Sequence, residues 1–199
     1  DGHNTALGFN AGLAMTTGIE NTLMGATAGD AITTGTGNTA VGFSALTTNV
    51  LGSKSVAIGR AALQVQNPDS AVDMYNVAIG HGAGEAVTTG IKNTIMGGLA
   101  GDLMTTGDSN TFIGYFSASN GAVTGDKNTC VGESTGSALT SGGNNLFLGT
   151  DAGRTGSPGG NITTGSNEIV LGDESISEAH VQVDWTVASD ARDKTDFTA

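Results

Sequence analysis

Asn21-Thr22-Leu23-Met24-Gly25 is followed 17 residues later by Asn38-Thr39-Ala40-Val41-Gly42, and an Asn, two or three strand-forming residues and a Gly recur in this way ten times in 199 residues. Asn4-Thr5-Ala6-Leu7-Gly8, Asn93-Thr94-Ile95-Met96-Gly97, Asn110-Thr111-Phe112-Ile113-Gly114 and Asn128-Thr129-Cys130-Val131-Gly132 repeat it closely. Ser55-Val56-Ala57-Ile58-Gly59, Asn76-Val77-Ala78-Ile79-Gly80 and Asn145-Leu146-Phe147-Leu148-Gly149 are variants, and residues 167–172 carry one extra residue. Self-similarity at a fixed period marks a chain of stacked units, each touching only its neighbours.

A weaker motif fills the other half of each unit, as in Ala14-Met15-Thr16-Thr17-Gly18, Ala31-Ile32-Thr33-Thr34-Gly35 and Leu103-Met104-Thr105-Thr106-Gly107. Seventeen residues are too few for a strand plus a crossover helix, and Gly at this density breaks helices. The expected fold is therefore all-β, a parallel β-roll or β-solenoid of about ten coils with two strands per coil. Spacings between the closing glycines run 17, 17, 17, 21, 17, 17, 18, 17 and 23. The long intervals place insertions near residues 64–74 and 155–161, which hold Pro68 and Pro158, the chain's two prolines. They should bulge from the stack without changing the coil.

Composition narrows the function. With 33 glycines, 13% charged and 5% aromatic residues, the chain lacks the bulky side chains of a large globular core. Net charge is −12 and no Lys/Arg cluster exists, which argues against nucleic acid and anionic membrane as partners. No run approaches the roughly 20 apolar residues that span a bilayer, and no signal-peptide pattern opens the chain. The expectation is a soluble chain, without membrane insertion, whose upstream segment is missing because it starts without Met inside the first repeat. Cys130, the single cysteine, stands at a strand position and should be a small buried apolar residue.

Neighbouring strand residues point to opposite faces, yet the third and fourth motif positions are both apolar in nearly every copy. The fourth (Leu7, Met24, Val41, Ile58, Ile79, Met96, Ile113, Val131, Leu148, Leu171) is always large, which suits the coil interior. The third varies from Ala6, Ala40 and Ala57 to Phe112 and Phe147, and a strand apolar on both faces must be buried on both. The second face should then meet other copies of the chain in a rotationally symmetric bundle. The opening asparagines should stack as amide ladders or act as local turn formers.

These tandem units resemble the β-roll repeats of phage tail fibres and of trimeric autotransporter adhesin heads, and residues 55–59 are close to the adhesin-head signature. The resemblance spans roughly residues 2–172 and implies a homotrimer. Beyond it, Ser189-Asp190-Ala191-Arg192-Asp193-Lys194 resembles the opening of the self-cleaving intramolecular chaperone domain that follows many phage fibres and endosialidase tailspikes. Asp196 stands where that family commonly has Asn. The resemblance implies that Ser189 attacks the carbonyl of Ala188 with Lys194 as base, a step that needs a lysine kept neutral by its surroundings. The implied organisation is a β-roll domain (1–172), a connector (173–188) and the truncated start of the chaperone domain (189–199). Implied partners are other tail proteins and a host cell-surface glycan or protein, and the implied location is the virion.

Other chemistry is weakly represented. Asp30, Asp102, Asp126 and Asp151 fall one per coil, without the pair that glycoside hydrolysis requires. His3, His81 and His180 are widely separated, and no metal-ligand spacing or cofactor motif occurs. An enzyme is not expected, apart from single-turnover processing at Ser189. Receptor contact is expected at residues 67–75 and 155–161, or at Tyr115 and Trp185. A bacterial surface-adhesin head and an ice-binding solenoid based on the Thr-Thr pairs are the alternative readings.

Overall fold

The structure, a computed structural model, describes residues 2–180. Its elements are β1 (Thr5–Leu7), β2 (Thr22–Met24), β3 (Thr39–Val41), β4 (Gly52–Ser53), β5 (Val56–Ile58), β6 (Val72–Asp73), β7 (Val77–Ile79), β8 (Thr94–Met96), β9 (Thr111–Ile113), β10 (Thr129–Val131), β11 (Leu146–Leu148) and β12 (Ile169–Leu171). All but β4 and β6 form one ten-stranded parallel sheet in chain order. The motif is the register: Thr22 pairs with Thr39, Leu23 with Ala40 and Met24 with Val41. Pairing survives the long intervals, since Val56 meets Val77 and Leu146 meets Ile169. The insertions leave the stack and return to it, and the described residues form a β-solenoid.

The two strand faces are assigned opposite to the expectation from size. The third position is the interior one: Leu23, Ala40, Ala57, Ala78, Ile95, Phe112, Cys130 and Phe147 are fully buried. The large fourth position looks outward, with Leu7 63% and Met24 39% exposed and Ile58, Met96, Ile113 and Leu148 close to Met24. The reason is that the strands are not alone in filling the coil. Ile32, Leu46, Leu63, Val87, Met104 and Leu139 come into the same core from the opposite half. A third-position residue therefore has only to fill what its coil leaves. Ala40 and Ala57 share coils with the buried Leu46 and Leu63, whereas Phe147 lies over Gly153, where a Cβ would sit 3.0 Å from its ring.

The second correction concerns the Thr-Thr-Gly half, which is turn rather than a second strand in every coil. Residues two and four places after each closing glycine from Gly8 to Gly149 have positive φ, as at Thr27 (55°) and Gly29 (55°), or Ala61 (57°) and Leu63 (48°). Sign alternation at successive residues breaks a pleated ladder. The N–H groups of Thr16, Thr17 and Gly18 instead converge on the one carbonyl of Thr33 in the next coil. Among the described residues a second pairing exists only between β4 and β6, the latter supplied by the first insertion.

The asparagine ladder is present and buried. Asn93 Oδ1 accepts the backbone N–H of Asn110 at 2.8 Å, and Asn110 Oδ1 accepts that of Asn128 at 2.9 Å. The Nδ2 atoms also donate to a glycine carbonyl in the turn half of their own coil, as from Asn93 to Gly107 O and from Asn110 to Gly125 O. The side chains thus replace a backbone acceptor on one side and hold the corner on the other. At the ladder's end the residue in register is Glu168, not Asn167. The ladder lapses once, at Ser55, where Gln66 enters from the insertion. Fully buried, Gln66 bonds Ser55 Oγ and accepts from Asn76 Nδ2 at 2.9 Å. The coil that lacks an amide borrows one from its own extra residues.

Candidate functional site

Outward positions of the long sheet define its most unusual surface. Along its whole length each strand presents its second residue, Thr or an aliphatic, and its large fourth residue to solvent. Beside this stripe runs a column formed by the residue after each closing glycine. There Phe9, Phe43 and Tyr115 are exposed, and the Arg60 guanidinium lies 5.9 Å from the Phe43 ring centroid and 3.2 Å from His81 Nε2. Phe43 and Arg60 carried no recognisable motif. The one available signal was that both follow a closing glycine, which stacks them in consecutive coils.

On the other side of the stripe lies a column whose every member has left-handed backbone. The residue preceding each ladder position, from His3 to Asn167, has φ between 46° and 68°. Lys54 and Tyr75 are consecutive members. Stacking them places the Lys54 ammonium 5.2 Å from the Tyr75 ring centroid and 3.2 Å from its hydroxyl. Asp73 joins from β6, 2.7 Å from Lys54 Nζ and accepting the Tyr75 hydroxyl at 3.2 Å. Hydrogen bonding between the two raises the lysine's pKa and lowers the aspartate's. Both partners are about half exposed, so the pair contributes little to stability. Its place is a solvent-facing polar and aromatic cluster beside a shallow depression lined by Ser53, Ala71, Val72 and Asp73. Of residues 67–75, expected to be a loop, Met74 donates its backbone N–H into the stack to Ser53 O and Val72–Asp73 is strand. Pro68 is buried.

The second insertion is self-closed. Ile162 N–H donates to Gly153 O, and the buried Ser157 hydroxyl accepts from Gly153 N–H and donates to Arg154 O. Arg154 pairs with Asp151 at its entrance. Of the other acids, Asp102 accepts the Ser119 hydroxyl and Asp126 accepts the backbone N–H of Asp108. Asp30 leaves Oδ1 without a partner, and desolvation raises its pKa. Burial pushes the Cys130 thiol above the usual range. Tyr115 is 57% exposed, 5.7 Å from Phe116 between ring centroids. Among the described residues no group of His, Cys, Asp or Glu could hold a metal ion, and no helix is long and apolar enough to cross a membrane. Ala188, Ser189, Lys194 and Trp185 lie outside the described residues.

The Thr-Thr pairs are not a two-rank hydroxyl array. Thr16, Thr33 and Thr88 donate their hydroxyls to carbonyls of the next coil, which leaves the second Thr of each pair as the outward one. The described surface carries an apolar stripe and an aromatic-polar cluster. Comparison with protein-family models, with curated proteins and with solved structures found no match to this chain.

Proposed function

We propose that the chain is a structural and host-attachment segment of a phage tail fibre that works as a homotrimer. The observation that carries the reading is the outward apolar stripe in which Leu7, Met24, Ile58, Met96, Ile113 and Leu148 are exposed and Val41, Ile79 and Val131 half-buried. Monomeric proteins seldom leave contiguous apolar patches larger than a few hundred Å² in water. Covering the stripe returns about 25 cal/mol for each Å² of apolar surface removed from solvent. A rotationally symmetric bundle lets one surface serve every copy. Lysine at both Ile58 and Ile113 is expected to convert the trimer to monomer in sedimentation equilibrium while the circular dichroism spectrum stays that of the parent. The parent sedimenting as a monomer would remove the basis of the reading.

Attachment is assigned to the Lys54, Asp73 and Tyr75 cluster, with a cell-surface polysaccharide as the receptor class. An aromatic ring beside a carboxylate and an ammonium offers stacking and hydrogen bonding to a sugar. Tyr75→Ala is expected to reduce adsorption of the labelled protein to host cells several-fold with assembly unchanged. Equal adsorption by parent and variant would move the receptor site elsewhere. Autoprocessing by Ser189 and Lys194 rests on the sequence pattern alone. N-terminal sequencing of the full gene product tests it: a fragment beginning at Ser189 supports processing, and an intact chain counts against it.

A further inference from the structure

We infer that Asn120 is a site of spontaneous covalent modification, deamidation through a cyclic succinimide. The inference is independent of the function proposed above. The reaction requires the backbone nitrogen of the next residue to reach the Asn side-chain carbonyl carbon, and a Cβ on that next residue obstructs the approach. Asn120-Gly121 is the one Asn-Gly pair in the chain.

The ladder asparagines are closed to this chemistry twice over. Asn93 and Asn110 are buried with both side-chain atoms hydrogen-bonded. Each is followed by a β-branched threonine whose N–H donates to the next coil at 2.8 Å. Asn120 differs in every respect. It is exposed, in the connection of the 18-residue unit, and neither its side-chain amide nor the Gly121 N–H has a hydrogen-bond partner among the described residues. Its own backbone N–H donates to Ser137 O at 2.9 Å, which ties the residue to the next coil while the amide stays free.

The chemistry balances with water alone. Gly121 nitrogen loses its proton and attacks Asn120 Cγ, forming the ring C–N bond, and the amide nitrogen leaves as ammonia. Water then opens the ring at either carbonyl, giving aspartate or isoaspartate. Either product adds one negative charge. Isoaspartate also adds a methylene to the backbone at a crowded point, because a Cβ on Gly121 would already lie 2.8 Å from Leu139 O. The longer backbone must bulge away from the stack, so ageing produces two chemically distinct chains that differ at this connection.

The test holds the purified full chain at mildly alkaline pH for days and maps its peptides by mass spectrometry. The peptide containing Asn120 should acquire the mass change of amide to acid and split into aspartyl and isoaspartyl forms. Peptides carrying the ladder asparagines should remain unchanged, and Asn120→Gln should abolish the new forms with an unaltered circular dichroism spectrum. An Asn120 peptide that stays intact in the folded protein would overturn the inference, whether or not the same peptide reacts once excised. So would ladder asparagines that react as fast as Asn120.

Discussion

Replacing Gly59 by alanine should unfold the stack locally or lower its stability severely, while the same change at Gly98 should be neutral or slightly stabilising. Gly59 has φ of +131°, and a Cβ there would lie 2.3 Å from Gly80 O and 2.6 Å from its carbonyl carbon. Those atoms are backbone of the next coil and cannot swing away. Backbone strain alone costs about 1–3 kcal/mol, and separating two coils to relieve the clash sacrifices the hydrogen bonds between them. At Gly25, Gly42, Gly80, Gly97 and Gly114 an added Cβ would meet the same obstacle, within 2.5 Å of the next closing glycine's carbonyl oxygen. Gly98 lies next to that column but has no positive φ, and its nearest neighbour would be Tyr115 Cδ2 at 3.6 Å. Alanine there reduces the freedom of the unfolded chain, worth about 0.4–1 kcal/mol. Urea denaturation followed by circular dichroism distinguishes the two, and equal midpoints would show that coil spacing is not set by the glycine column.

Asn110→Ala should be the second most damaging change, with an expected loss of about 2–6 kcal/mol, because it orphans two buried backbone groups at about 1–3 kcal/mol each. The groups are the Asn128 N–H, which Asn110 Oδ1 accepts, and Gly125 O, to which Asn110 Nδ2 donates. Whole domains are stable by only about 5–15 kcal/mol, so this one side chain carries a large share. Asn110→Asp keeps the acceptor for Asn128 but loses the donor and buries a carboxylate, so its deficit should shrink on acidification as the group protonates. A loss of a few tenths of a kcal/mol for Asn110→Ala would mean that water or relaxation replaces the ladder. In hydrogen exchange, the Asn128 amide should lose protection ahead of Thr111, whose N–H donates to the Asn128 carbonyl rather than to a ladder side chain.

Legibility in the sequence followed how local each cause is. Strand positions, parallel register and insertion sites were readable because each repeat pairs with its own copy: Thr94 opposite Thr111 restates the period. The amide ladder was readable as one of two options, and burial decided between them. Which face is interior was not, because Ile95 and Met96 are both apolar and alternation alone has no sign. The half-coil called a strand on its Thr-Thr composition is turn, since glycine and alternating left-handed residues override the preference of threonine. Gln66 gave no sign of filling the place left open at Ser55, because the two stand 11 positions apart and only the path of the coil through β5 and the buried Leu63 brings them together.

The candidate binding surface divides in the same way. Tyr75 fell inside residues 67–75, where receptor contact was expected, whereas its partner Lys54 lies one coil earlier and Asp73 arrives on β6. Their meeting depends on which residues of unequal coils are stacked. From sequence alone came the period, the parallel stack and the two-sided apolar strands, all set by contacts between identical neighbours. Only the tertiary structure decided which apolar rank is inside and which side chains of unequal coils meet, because these depend on how the half-coils share one narrow core and no local pattern encodes that division.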